Sequence, residues 1–209
     1  MLGRLLSVAC QRVLQFMASE QQGPLVTSVG RLTEQKVLLL CQPHNDGLTI
    51  DAVCRVINQF SGRLIVLGSG DRKLEQLFTS AMARNNNLLF LKGYGQSIGD
   101  LMYQLGDLFL MPSSFEPCGI SQMLAMRAGQ PCLVHSVGGL KDTVEHNVTG
   151  FCFTGDTLLT QAEALLVSLS EALRVKQTNP KQWQAIKNSA KNTRFGWDSV
   201  VTDYITYLY

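Results

Sequence analysis

The tightest constraint on the fold lies between residues 107 and 144, D-L-F-L-M-P-S-S-F-E-P-C-G-I-S-Q-M-L-A-M-R-A-G-Q-P-C-L-V-H-S-V-G-G-L-K-D-T-V. The apolar run Leu108 to Met111 reads as a short buried strand, followed by a loop with one acidic residue, Glu116. A helix is expected to open at Gly119, a second strand covers Cys132 to His135, and a loop with Gly138 and Gly139 comes next. Strand, loop, helix and strand in that order make the repeating unit of an open parallel sheet, in which ligands sit beyond the carboxyl ends of the strands. Glu116 therefore falls at a ligand-facing position, beside a helix start whose free N–H groups suit an anion. A capped turn carrying a solvated glutamate fits the same local pattern, so pattern alone leaves both readings open.

The remaining chain repeats this alternation. Further strands are expected at Leu25 to Val29, in L-I-V-L-G-S-G (residues 64 to 70), at Leu88 to Leu91 and at Gly150 to Phe153. Helical spacing marks residues 72 to 84, about 97 to 105 and 158 to 175, and Asn179 with Pro180 has the form of an N-cap and first turn. Near the N-terminus, Leu2, Leu5, Leu6, Ala9, Val13, Phe16 and Met17 share one helical face, which favours an amphipathic helix over a signal peptide. A last helix begins near Trp197 and gathers Val200, Val201, Tyr204, Ile205 and Leu208 on an apolar face. Six strands alternating with helices predict an α/β fold, a doubly wound parallel sheet.

Composition narrows the function classes. The 209 residues are 45% hydrophobic and 16% charged, with a formal net charge of +2 and no basic block, so a nucleic-acid footprint is absent. No apolar run reaches the length of a transmembrane helix. Six cysteines (Cys10, Cys41, Cys54, Cys118, Cys132, Cys152) form no C-x-x-C pattern and fit apolar core positions in a reducing cytoplasm. No metal-ligand spacing is present. G-S-G-D-R-K after the strand at 64 lacks the third glycine of a dinucleotide fingerprint, which excludes an NAD reading. Two cations five residues apart, Arg31 and Lys36, follow the first strand; alone, that spacing carries no signal.

Together, F-E-P-C-G-I-S-Q and V-G-G-L-K-D-T-V resemble the bacterial glycogen synthase and plant starch synthase family, whose members read close to S-R-F-E-P-C-G-L-T-Q and T-G-G-L-x-D-T-V. That family consists of retaining glucosyltransferases of the glycosyltransferase-B fold, two Rossmann-like domains with the active site between them. The resemblance runs through nearly all of this chain but matches only the C-terminal, donor-binding domain. It implies an interdomain-type helix and linker at 1–22, a nucleotide-sugar-binding domain at 23–178, and C-terminal helices at 179–209 that cross back to an N-terminal domain.

By the same resemblance, Arg31 and Lys36 contact the donor's diphosphate, where fixed cations stabilise charge building on the leaving group. Glu116 orients the donor glucose through its hydroxyls. Tyr94 in G-Y-G-Q stacks on the nucleotide base, Gly68 lets the donor approach the backbone, and Gly119, Ile120 and Ser121 offer amides to the distal phosphate. Cys118 fills space beside the sugar rather than acting as a nucleophile, since no base is readable near it. The implied reaction moves glucose from ADP-glucose or UDP-glucose to an α-1,4-glucan end, with no cofactor. It needs an N-terminal domain, or a partner docked through the closing helix, so the chain alone is expected to be inactive. Three departures stand out: Val37 where the family has Gly, Ser114 where it has Arg, and Gln96 where Glu is common. They keep two alternatives open, the same half of another retaining transferase (surface polysaccharide or disaccharide synthesis) and a non-catalytic nucleotide- or glucan-binding module.

Overall fold

Apolar runs bounded by turn residues form one all-parallel sheet of six strands: β1 (Leu25–Val29), β2 (Arg63–Gly68), β3 (Leu88–Lys92), β4 (Leu108–Met111), β5 (Cys132–His135) and β6 (Gly150–Phe153). The structure, a computed structural model, describes residues 11–18 and 21–208. The strands lie in the spatial order β3-β2-β1-β4-β5-β6, the doubly wound arrangement expected from the sequence. Because the order reverses between β1 and β4, a crevice opens at their carboxyl ends.

A sheet covered on both faces needs apolar residues at successive positions, and each strand supplies them in alternation. Leu108 and Leu110 of β4 face one side, with Val26, Leu64, Val66, Leu88, Phe90 and Leu133. There they meet α3 (Thr49–Gln59), α4 (Arg72–Arg84) and α8 (Leu158–Thr178) through Ile50, Val53, Phe78, Leu165, Leu169 and Leu173. Phe109 and Met111 face the other side, packing with Cys132, Val134 and Tyr103 of α5 (Gln96–Leu105) and with Ala125 and Met126 of α6 (Ser121–Arg127). α9 (Pro180–Asn192) is capped by the Asn179 side chain, which accepts from the Gln182 amide, and buries Trp183, Ile186 and Ala190 against this body.

The segment after Lys36 takes a form the sequence left undefined. α2 (Glu34–Val37) tightens into a 3-10 turn at Leu38–Cys41 that buries Leu39 and Leu40. A two-stranded hairpin then pairs Pro43–His44 with Gly47–Leu48, turning through Asn45 at φ 50°, before α3 starts. Its His44 does not line the crevice. The helix expected to open at Gly119 begins two residues later, at Ser121, because Gly119 sits at φ +74°, outside the α-helical region. Near the N-terminus a helix, α1, covers residues 11–17, and its Phe16 is buried. Leu2, Leu5, Leu6, Ala9 and Cys10 lie outside the described residues. On α10 (Trp197–Leu208), Val201, Tyr204 and Ile205 are exposed, and the side chains of Val200 and Leu208 are outside those described.

A buried carboxylate ties the start of α3 to the end of α4. Asp51 accepts from the Leu48 amide at 3.0 Å, from Arg84 Nη2 at 3.0 Å and from Asn85 Nδ2 at 2.6 Å. Burial raises its pKa, but these hydrogen bonds outweigh burial and hold it below the usual carboxylate value. Asp51→Ala is expected to cost about 2 kcal/mol at pH 7, read from urea unfolding. With a lowered folded-state pKa, the wild-type contribution is complete above about pH 3.9 and is lost as pH falls through the folded value. The gap between wild type and variant should therefore close in acid.

Candidate functional site

Loops leaving the carboxyl ends of β1, β2, β3 and β4 enclose a cleft of about 830 Å³ at the reversal point of the sheet. All nine residues singled out from the sequence line it: Arg31 and Lys36 after β1, Gly68 closing β2, Tyr94 after β3, and Glu116, Cys118, Gly119, Ile120 and Ser121 after β4.

Lys36 Nζ and a carboxylate oxygen of Glu116, Oε2, form an ion pair inside the cleft. Glu116 is only 6% exposed, and Ser113 Oγ lies a long 3.5 Å from the same oxygen. Arg31, by contrast, is exposed and has no ion-pair partner among the described residues. Tyr94 stands at the rim, 86% exposed, after Gly93 at φ +140°. Cys118 is an exposed free thiol whose Sγ lies 3.8 Å from the Gly119 carbonyl.

The loop bearing Glu116 is held by groups from outside it. Gln35 donates from Nε2 to the Phe115 carbonyl at 2.8 Å, and its own carbonyl accepts from the Ser114 amide at 2.9 Å and the Ser114 hydroxyl at 3.1 Å. His135, buried at the end of β5 and stacked on Phe153, donates from Nδ1 to the Ser113 carbonyl at 3.0 Å. Burial pulls the His135 pKa down and this hydrogen bond offsets part of that, so the ring is neutral at pH 7. From α7 (Gly139–Thr143), the Gly139 amide donates to the Glu116 carbonyl at 2.8 Å.

At two glycine pairs, the space that a side chain would need is filled by protein backbone. A side chain at Gly138 would collide with the Glu116 carbonyl, and one at Gly139 would come within 2.7 Å of the Cys118 carbonyl. Gly68 and Gly70 likewise press on the carbonyls of Gly30 and Leu32 in the loop carrying Arg31. The Gly68 backbone still lines the cleft from the β2 side.

Sequence reasoning missed Gln35, Ser113 and Tyr103. The signal that marks Gln35 in the sequence is its position between the two cations. Tyr103 is buried and lines the cleft together with Ser121; burial pushes its phenol above the ordinary value, partly offset by the Ser121 hydroxyl. Among the described residues, no group of three His, Cys, Asp or Glu side chains is arranged to hold a metal ion. The cleft's chemistry therefore consists of two cations, one shielded carboxylate, a rim aromatic and a set of backbone amides, a combination suited to a phosphate-bearing ligand with hydroxyl groups.

Comparison with known proteins gives the same direction. The family model described as glycosyl transferases group 1 matches residues 15–191. The glycogen synthase of Aeromonas hydrophila is 37% identical over 188 residues, 87% of this chain and 36% of that protein. The glycogen synthase of Aeromonas salmonicida is 38% identical, over 95% of this chain and 41% of its own length. The chain thus spans about two fifths of the curated relatives it matches. Among solved structures, the catalytic domain of starch synthase IV from Arabidopsis thaliana, bound to ADP and acarbose, aligns with a TM-score of 0.71 at 23% identity, covering 94% of this chain and 41% of that one. The Anabaena protein HepE, in complex with UDP-glucose, aligns at 0.67 and 20% identity, covering 95% and 51%. These likenesses are of fold, one half of a glycosyltransferase-B architecture.

Gly138 is the position where this arrangement is most exposed to substitution, with φ 48° and ψ −137°. Gly138→Ala is expected to destabilise the protein by about 1–3 kcal/mol, from strained backbone and the forced retreat of the Glu116 loop. Thermal unfolding should show the loss, and hydrogen exchange at the Gly139 amide should accelerate.

Proposed function

The chain belongs to the glycosyl transferases group 1 family, and we propose that it is the donor-binding half of a glucosyltransferase of the glycogen or starch synthase type. The observation that carries this reading is the meeting of Arg31, Lys36 and Glu116 in one cleft, brought together from loops 80 residues apart. Breaking a glycosyl–phosphate bond leaves negative charge on a nucleoside diphosphate, and cations fixed in advance stabilise that charge as it develops. Arg31 offers a planar fork to phosphate oxygens, and Lys36 a mobile point charge. Glu116 accepts from sugar hydroxyls and orients the ring. The amides of Gly119, Ile120 and Ser121 add donors to the distal phosphate, Tyr94 stacks on the base, and Cys118 fills the space beside the sugar.

On this reading the acceptor is an α-1,4-glucan end and the donor ADP-glucose or UDP-glucose. The glycogen synthase relatives support the first, and the ADP and UDP-glucose bound to the fold neighbours support the second as a class. A second Rossmann-like half supplies the acceptor contacts, and the exposed residues of α10 would help dock it. The domain division at 1–22, 23–178 and 179–209 and a cytoplasmic location belong to the same proposal, as does the expectation that the 209 residues alone bind donor without turning it over.

Calorimetric titration with ADP, UDP, ADP-glucose and UDP-glucose tests the reading. One nucleotide should bind selectively, and Arg31→Ala should weaken it about ten-fold, the value of one charge-assisted hydrogen bond. Binding that ignores this substitution would place the diphosphate elsewhere.

A further inference from the structure

We propose that the Lys36–Glu116 ion pair is a specificity device that lets the cleft favour an intact nucleotide sugar over the free nucleoside diphosphate. The inference rests on the donor-site reading above and adds to it a reason for discrimination. Glu116 is 6% exposed, and apart from the distant Ser113 hydroxyl its carboxylate accepts only from Lys36 among the described residues. Lys36 is also one of the two cations that a diphosphate would call on.

The two demands on Lys36 compete. Once its ammonium turns to a phosphate oxygen, Glu116 loses its ion-pair partner, and a largely shielded carboxylate is left without the donor that satisfied it. The backbone of residues 113 to 116 is bonded to His135, Gln35 and Gly139, so the loop holds the carboxylate at the cleft wall rather than carrying it away. A nucleotide sugar solves the problem with its own atoms: its hydroxyls donate to Glu116 as Lys36 leaves. A bare diphosphate has no such donors near the carboxylate. Arg31, exposed and without an ion-pair partner among the described residues, is available to both ligands and does not discriminate. The same exchange would ease departure of the diphosphate once its sugar has been transferred, because Glu116 then reclaims Lys36.

The test is equilibrium titration of the chain and of Glu116→Gln with each nucleotide sugar and its matching diphosphate. In the wild type, the sugar nucleotide should bind about ten-fold or more tightly than the diphosphate. In Glu116→Gln, diphosphate binding should tighten and the ratio should fall close to one. A ratio that falls only because the nucleotide sugar weakens, with diphosphate binding unchanged, reports loss of the Glu116–sugar contact and overturns the device. A wild type that holds the diphosphate as tightly as the sugar nucleotide, or a ratio unchanged by the substitution, overturns the device while leaving the donor site standing. Failure of the wild type to bind any of the four ligands overturns the donor site itself, and the device with it. Glu116→Ala, which also lacks the charge, carries the test if Glu116→Gln proves unstable to thermal unfolding.

Discussion

The ion pair between Lys36 and Glu116 sets the terms for the rest of the cleft. The pair joins the loop after β1 to the loop after β4, so those two loops must keep a fixed register for it to form. That requirement explains the density of bonding around an otherwise irregular segment. Four consecutive residues, 113 to 116, each give a backbone group to a partner outside the loop: His135, the Gln35 carbonyl, the Gln35 amide and Gly139. Buried backbone without a ladder partner has to be satisfied this way, and once satisfied it is as constrained as a strand.

Strand order does the coarse positioning and glycine the fine. The reversal between β1 and β4 separates their outgoing loops, leaving a gap with Arg31 and Lys36 on one wall and Glu116 on the other. Each wall is then doubled by a neighbouring loop that touches it backbone to backbone. Gly68 and Gly70 support the Arg31 loop, and Gly138 and Gly139 support the Glu116 loop. Where these loops press together no side chain intervenes, so the side chains along the walls remain free to face the cleft.

The sheet was legible because parallel strands buried on both faces are nearly continuous apolar runs, and Leu108–Met111 or Cys132–His135 can scarcely be anything else. α8 and α9 were equally plain, from helical period in one and from Asn179 with Pro180 in the other. Less legible was whatever depends on a contact across the chain. Nothing local says that Gly138 is glycine on account of the Glu116 carbonyl, or that Gln35 reaches Phe115 across 80 residues. The helix start was misplaced by two residues because a left-handed Gly119 looks, in sequence, like any glycine at a helix entrance. The 3-10 turn after Val37 buries Leu39 and Leu40, a tertiary demand with no local signal, while the hairpin that follows turns at Asn45, within a run of turn-forming residues.

Ser114 shows how a change of residue shifts the balance of charge. Where the resembling family carries an arginine, this chain has a hydroxyl that donates to the Gln35 carbonyl, exchanging a cleft cation for a tie between loops. Arg31 and Lys36 against Glu116 then leave one net positive charge to meet a diphosphate. α6 spans only seven residues, so its dipole adds little. On the donor-site reading, the remaining stabilisation of a bound diphosphate comes from neutral donors aimed at it, chiefly the amides at Gly119 to Ser121 and the Ser121 hydroxyl. Neutral donors act only where they already point. In this cleft, the rigidity of the loop after β4 therefore substitutes for charge.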